Sequence, residues 1–294
     1  MKDNKYYLFA LFICIIYAFY QYLIMYFNFD LHTFLAIIPV WEWNSNLWHL
    51  LISNERIRVP SFALEPAFFS IFLAVGFILN HIYYKNNFLY LLLFMAILIS
   101  LSRNMMGFIV VFYGLLYIYK FTDNKKLLFI IYTLSFLLPP IFLYVFINDY
   151  SKYDVSVFMR IIPFVAFFTE LDVFQILVGA DYTKTIQNSN YMVLIHEIFP
   201  NTNEIIEKDP KSFLGSFLYG YGIIGVVIFI LFNWLMLKNN QIAFIYMSAF
   251  NIVIFNINVL YWPVYWILFM MLVANPYYEK DKDYKITSNF KENS

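Results

Sequence analysis

The sequence predicts an all-α fold, a polytopic transmembrane bundle of about eight helices, and three observations support this class. Apolar residues make up 62% of the 294 residues and charged residues only 13%, against roughly 45–50% and 25% in soluble domains. The apolar residues form blocks that are long enough, as helices, to cross about 30 Å of hydrocarbon. These blocks, such as FLYLLLFMAILIS, lack the alternation of apolar and polar residues that the strands of a membrane β-barrel require.

Hydropathy divides the chain into eight predicted spans. The first apolar run follows a positively charged start but has spanning length, so it is predicted to remain as a helix and not to be cleaved as a signal peptide. Residues 87–120 would be about 50 Å long as one helix, which predicts a break at 102–104, and a second break is placed near 256–258 for the same reason. The predicted spans are 6–27, 66–84, 88–102, 104–120, 126–147, 213–237, 242–257 and 259–275.

Lysine residues set the predicted orientation. They concentrate near the chain start, in the segments after alternate spans and in the tail, which is the bias of cytoplasmic segments. Both termini are therefore expected in the cytoplasm, with long outer segments at 28–65 and 148–212. Residues 1–275 are expected to form a single membrane domain, and residues 276–294 a disordered cytoplasmic tail.

The larger outer segment contains an apolar stretch at 155–179 that is interrupted by charged residues and a proline. These interruptions argue against a ninth span. The stretch is expected to form a helix that lies on the outer membrane interface or a re-entrant piece that dips into the bundle.

The chain contains four arginines, and all of them fall on the predicted outer side. They are Arg56, Arg58, Arg103 and Arg160. The planar guanidinium grips carboxylate or phosphate oxygens in pairs and stays charged when it is partly buried. The pattern predicts a shared site for an anion on the outer face. The alternative is that these arginines reach separately to lipid headgroups at helix ends.

A carboxylate stands at the predicted start of the second span. Pro66 suits the first position of a helix, where its missing N–H costs nothing, and this places Glu65 at the positive end of the helix dipole. Glu65 is either a simple terminal charge or a functional group, that is, a general base or an acceptor for a sugar hydroxyl near Arg58.

The order of these motifs resembles a family. The Arg58 and Glu65-Pro66 motifs are followed by Ser102-Arg103, by Arg160, by ILVGADY and by KSFLGSFLYGYGIIGVVIF at 211–229. This sequence of motifs is similar to the bacterial Wzy-type O-antigen and capsular polysaccharide polymerases, a superfamily that also includes the O-antigen ligases. The chain departs from the family in having fewer spans and in carrying Lys211-Ser212 where a histidine is common.

The resemblance implies a glycosyltransferase of the bacterial cytoplasmic membrane that joins oligosaccharide repeat units carried on undecaprenyl diphosphate. It implies no cofactor, and the four histidines form no recognisable metal-binding pairs. The implied catalytic residues are Arg58, Glu65, Arg103 and Arg160. Ser102, Lys211, Ser212 and His196 are the implied substrate-binding residues, although His196 is alternatively a solvated loop residue.

The expected partners are the lipid-linked oligosaccharide, the bilayer, a flippase and a chain-length regulator. A net charge of zero gives no reason to expect a nucleic-acid partner. Besides a non-catalytic assembly subunit, two other functions stay open. One is a ligase that transfers finished glycan, as in lipopolysaccharide, to another lipid acceptor. The other is a transporter or flippase for lipid-linked sugars, which is expected to show charged or broken helices near the membrane midplane.

Overall fold

A computed structural model describes residues 4–27, 66–100, 102–121, 124–146, 155–187, 189, 210, 212–255 and 263–274. Every regular element in these ranges is helical, which confirms the predicted all-α class. The α-helices are α1 (Asn4–Tyr26), α2 (Pro66–Leu79), α3 (Asn87–Ser100), α4 (Arg103–Tyr119), α5 (Lys125–Phe146), α6 (Val155–Thr169), α7 (Val173–Val178), α8 (Tyr182–Gln187), α9 (Phe213–Leu237), α10 (Gln241–Ile254) and α11 (Pro263–Val273), and a π-helical turn (Asn80–Tyr84) extends α2.

The predicted spans coincide with helices, and their bounds agree to within a few residues. By length and composition, two of the described helices are apolar enough to cross a membrane, within Tyr6–Leu23 and Phe213–Leu237, and several other apolar helices have 10–17 residues. The predicted tail at 276–294 and the outer segment 28–65 lie outside the described residues.

The chain divides into two compact units, Met1–Val111 and Phe112–Ser294, and the boundary falls within α4. The first unit is built from α1, α2, α3 and the start of α4. Leu11, Ile15 and Ala18 form the buried stripe of α1, at the spacing that puts apolar residues on one helix face. Gly76 allows α2 to approach this stripe closely, since a Cβ there would overlap Leu11.

The chain turns between α3 and α4, where the sequence predicted a break. Tyr90 and Phe108 are eighteen residues apart, about 27 Å along an unbroken helix. Both rings nevertheless pack on Phe77, with centroid distances of 5.4 and 6.2 Å. The backbone carbonyl of Ser102 accepts the N–H groups of Met105 and Met106 at 3.1 Å, which starts α4 directly after the turn.

The second unit is centred on α10. Nearly every side chain of this helix is buried, and its aromatic residues pack against α5, α9 and α11. The amide of Asn251 on α10 donates to the hydroxyl of Ser135 on α5 at 3.1 Å. A helix that is apolar on all sides is expected at the core of a helical bundle.

The helix α9 is broken at Gly222, where the backbone adopts φ 64° and ψ −169°. We call residues 213–221 its first arm and residues 223–237 its second arm. Phe229 packs on Phe213 and Phe217 with centroid distances of 5.8 and 4.6 Å, although these residues would be about 24 and 18 Å apart along a continuous helix. The prediction of one continuous span at 213–237 was therefore wrong, because the two arms fold back on each other.

Candidate functional site

The structure describes only some of the predicted site residues. Arg58, Glu65, Lys211 and His196 lie outside the described residues, and for Arg103 it gives only the backbone, at the first position of α4. Ser102 is buried beside this position. Arg103 belongs to the first unit and Arg160 to the second, so the shared arginine site stays a prediction.

Ser212 caps the buried end of the first arm of α9. Its backbone is extended (φ −144°, ψ 145°), and its hydroxyl accepts the N–H of Gly215 at 3.1 Å. Ser212 has no exposed surface, and the arm that follows is buried as far as Tyr219. The first turn of a helix presents N–H groups that have no partner within the helix, together with a partial positive charge. This end of α9 therefore favours an anion.

The helix α6 packs on the first arm of α9. The ring of Phe164 approaches Gly215, and the ring of Phe167 packs on Tyr219 with a centroid distance of 5.1 Å. These two contacts pack α6 on the first arm of α9. The half-buried Arg160 is one helical turn before Phe164 on the same helix. Of the predicted site residues that the structure describes, Arg160 and Ser212 therefore lie on two elements that pack on each other.

This cap lies at mid-length of the neighbouring helices. The ring of Phe213, the residue after Ser212, packs on Phe136, which is near the middle of α5, and on Phe229, which is near the middle of the second arm of α9. Burial of Ile161, Ile162 and Phe167 places α6 inside the second unit. The two alternatives for 155–179, an interfacial helix or a re-entrant piece, stay predictions.

The backbones of α7 and α9 cross at two glycines. Gly179 has φ 106° and Gly222 has φ 64°. A Cβ at Gly222 would stand 2.2 Å from the carbonyl oxygen of Leu177, and a Cβ at Gly179 would stand 2.5 Å from that of Tyr219. The N–H of Ala180 donates to the Tyr219 carbonyl at 2.8 Å, which satisfies an acceptor that the break leaves without a helical partner.

Tyr219 packs α6 and α8 on the first arm. Its hydroxyl donates to the carbonyl oxygen of Pro163 at 2.9 Å, which is in the interior of α6. Its ring also packs on Phe167 and on Tyr182 of α8, both with centroid distances of 5.1 Å. The sequence analysis did not identify Tyr219 or Gly222 as site residues. The Gly-rich run GYGIIG was the available signal, since closely spaced glycines in an apolar helix indicate a break or a close backbone approach.

An open polar pocket of about 220 Å³ lies where α6, α7 and α8 meet. It is lined by Glu170, Leu171, Gln175, Lys184 and Thr185. A capping box fixes Gln175, because its N–H donates to the Asp172 carboxylate at 2.8 Å and its side-chain oxygen accepts the Asp172 N–H at 3.2 Å. Lys184 pairs with Asp181 at 3.8 Å.

Comparison with known protein families, curated proteins and solved structures finds no match for this chain. Among the residues that the structure describes, no group of three or more His, Cys, Asp or Glu side chains is placed to hold a metal ion.

Proposed function

We propose that this protein is a membrane glycosyltransferase that joins undecaprenyl-diphosphate-linked oligosaccharide repeat units into O-antigen, capsular or exopolysaccharide on the outer face of the cytoplasmic membrane. The observation that carries the proposal is the packing of α6, the helix that contains Arg160, on the buried first arm of α9 that Ser212 caps. A guanidinium and a helix start both favour a diphosphate, and the sequence resemblance of 211–229 identifies the same segment.

The proposed reaction needs a fixed positive charge at this place. A hydroxyl oxygen of the acceptor sugar attacks the anomeric carbon of the donor, and the bond from that carbon to the diphosphate oxygen breaks. The diphosphate leaves with the bonding electrons, so negative charge builds on it in the transition state. In the proposal, Arg160 and the N–H groups at the start of α9 stabilise that charge, while Glu65 accepts the proton of the attacking hydroxyl.

A membrane location for the whole chain is part of the proposal, and the exposed apolar side chains support it. The helix α1 exposes Tyr6, Phe9, Ile16 and Leu23 by more than half of their surface. The second arm of α9 does the same with Ile228, Leu231 and Leu235. Soluble proteins rarely expose continuous apolar faces of this kind, whereas a lipid-facing helix surface consists of them.

A flippase for lipid-linked sugars is the second candidate, and the break in α9 favours it. Transporters hold their substrates near the membrane midplane with the ends of discontinuous helices. The cap at Ser212 is at mid-length of its neighbours, which is where such a site is found. The sequence analysis expected charged or broken helices of a transporter, and α9 is broken at Gly222, so this criterion does not exclude a flippase.

The lengths and the location of carrier-bound glycan in a deletion strain distinguish the candidates. A polymerase acts on repeat units that have already crossed the membrane. Its loss is expected to leave single repeat units on undecaprenyl diphosphate, accessible to an impermeant glycosidase added to spheroplasts. Long carrier-bound chains that are not transferred would instead identify a ligase, and single units protected from the glycosidase would identify a flippase. Either of these two results would overturn the proposal.

A further inference from the structure

The pocket between α6, α7 and α8 offers both hydrogen-bond donors and acceptors. The Glu170 carboxylate accepts, and the Lys184 ammonium donates. Because the side-chain oxygen of Gln175 accepts the Asp172 N–H at 3.2 Å, its two amide N–H bonds are directed to other partners. The Thr185 hydroxyl donates to the Asp181 carbonyl at 2.8 Å, so its lone pairs are the part of the hydroxyl available to a ligand. A hydroxyl is both donor and acceptor, so this lining suits a ligand that is rich in hydroxyl groups.

The size of the pocket limits the ligand. Its volume of about 220 Å³ is below the roughly 300–1,000 Å³ of sites that enclose drug-sized ligands. It therefore accommodates one sugar-sized ring or a small polyol, with a longer ligand continuing into solvent through the open side. The presence of one carboxylate and one ammonium disfavours a strongly charged ligand of either sign.

The opposite face of α7 is apolar and exposed. Val173, Phe174, Leu177 and Val178 follow each other at the spacing of a single helix face, and they are exposed by 74%, 72%, 40% and 48%. The second arm of α9, which leaves the crossing with α7, exposes Ile224, Val227 and Ile228 in the same way. A short helix with one apolar and one polar face suits the plane of a membrane interface. This places the pocket on the water side of that interface.

The pocket also has a fixed distance from the Ser212 cap. The crossing of Gly179 with the Tyr219 carbonyl ties α7 to the outer end of the first arm of α9. From Ser212 to Tyr221, this arm spans about 14 Å. A ligand whose diphosphate is at Ser212 therefore reaches the pocket with a group that is about 14 Å farther outward.

We infer that this pocket binds a neutral sugar ring of the lipid-linked glycan, outward of the diphosphate, and fixes the position of the chain during transfer. The inference rests on the proposed function for the source of the sugar. The pocket chemistry alone would also suit the polyol headgroup of a phospholipid, and the test separates the two sources.

The test uses the full-length protein in nanodiscs of zwitterionic phosphatidylcholine. Saturation-transfer NMR titrations with methyl glycosides of glucose, galactose and N-acetylglucosamine measure sugar binding, and glycerol 3-phosphate is the headgroup probe. The double variant Glu170→Gln, Lys184→Gln keeps the shape of the pocket and removes its charges at exposed positions. Lys120→Gln, in the first turn after α4, is the matched control.

We expect at least one methyl glycoside to bind the wild type and the Lys120→Gln variant equally, and the double variant at least tenfold more weakly. Equal glycoside binding to the wild type and the double variant, or no glycoside binding at all, would overturn the inference. Pocket-dependent binding of glycerol 3-phosphate alone would assign the pocket to lipid headgroups and overturn it too. These readouts do not depend on polymerisation, so a failure of the proposed function, seen in the carrier-bound glycan, remains distinguishable from a failure of the pocket.

Discussion

At the scale of single residues, two serines one turn apart in the first arm of α9 have different roles. The Ser212 hydroxyl accepts the Gly215 N–H, a donor at the helix start. The Ser216 hydroxyl donates to the Ser212 carbonyl at 3.0 Å, which already accepts the Ser216 N–H, and has a longer bond to the Pro210 carbonyl at 3.4 Å. The Ser212 hydroxyl thus satisfies a buried donor at the helix start, while the Ser216 hydroxyl bonds only carbonyl groups.

The first prediction follows from this difference. Ser212→Ala is expected to lower the free energy of unfolding by about 1 kcal/mol, since this is the usual cost of losing a helix N-cap. Ser216→Ala is expected to cost less, because its loss leaves no helix-start N–H without an acceptor. Thermal unfolding of both purified variants in the same detergent measures the difference. An equal loss of stability in the two variants would contradict the assigned role of Ser212 as the cap.

The second prediction concerns the guanidinium of Arg160. Arg160→Lys keeps the charge but loses the paired donors that match a diphosphate. We expect polymer formation to fall at least tenfold, about 1.4 kcal/mol of transition-state stabilisation, at unchanged protein level. Arg56→Lys is the control, because no motif of the sequence analysis surrounds Arg56. The measurement is polymer length and amount in cells that carry each variant, and normal polymer from Arg160→Lys would refute the anion site.

At the scale of elements, hydropathy was sufficient to find the helices but not to find how α9 folds. The break between α3 and α4 followed from length alone, because residues 87–120 exceed one membrane thickness. Residues 213–237 have the right length for one crossing, so length gave no reason to expect a break. The fold-back depends on packing between Phe229 and Phe213, a contact between residues distant along the chain that a local hydropathy average does not contain.

The candidate site was predictable to a similar extent. The residue type and predicted outer placement of Arg160 indicated an anion, and the resemblance implied a substrate-binding role for Ser212, but its role as a helix cap was not predicted. The packing of α6, which contains Arg160, on the first arm depends on the contacts of Phe164 and Phe167. The contacts of Tyr219 with α6, with α8 and with Ala180 also join residues that are distant along the chain.

The third prediction tests the crossing of α7 and α9. Gly222 has backbone angles that essentially only glycine adopts, and a Cβ there would overlap the Leu177 carbonyl. Gly222→Ala is expected to destabilise the protein by at least about 2 kcal/mol, since strained residues of this kind cost about 1–3 kcal/mol before any overlap is counted.

Gly220→Ala is the matched control for this prediction. A Cβ at Gly220 meets no atom within 4 Å, and the residue is helical. This variant is expected to be as stable as the wild type or up to about 1 kcal/mol more stable, because alanine restricts the unfolded chain. Thermal unfolding and the yield of folded protein measure both variants. A Gly222→Ala protein as stable as Gly220→Ala would contradict the close crossing.

At the scale of the whole molecule, the described part of the second unit has exposed lysine residues at two opposite ends. The rings of Phe129 and Trp234 are 4.5 Å apart, and those of Phe136 and Phe229 are 5.5 Å apart. The helix α5 and the second arm of α9 are therefore antiparallel, which puts the start of α5, with Lys126, beside Lys238. The short helices α7 and α8, with Lys184, are at the opposite end, where α9 is broken. Charged groups at two opposite ends are expected of a unit that spans a membrane.

The last prediction assigns these two ends to the two sides of the membrane. The lysine bias places Lys126 and Lys238 in the cytoplasm, so Lys184 is expected outside. Single cysteines at these three positions, in a Cys14→Ser background, are labelled in intact cells with an impermeant thiol reagent and again after permeabilisation. All three side chains are exposed, so a difference in labelling reports the side of the membrane and not burial.

We expect position 184 to react in intact cells and positions 126 and 238 to react only after permeabilisation. The reverse pattern would invert the orientation and place the Arg160 site within reach of cytoplasmic substrates only, which excludes polymerisation on the outer face. Equal labelling of all three positions in intact cells would show that the second unit does not cross the membrane.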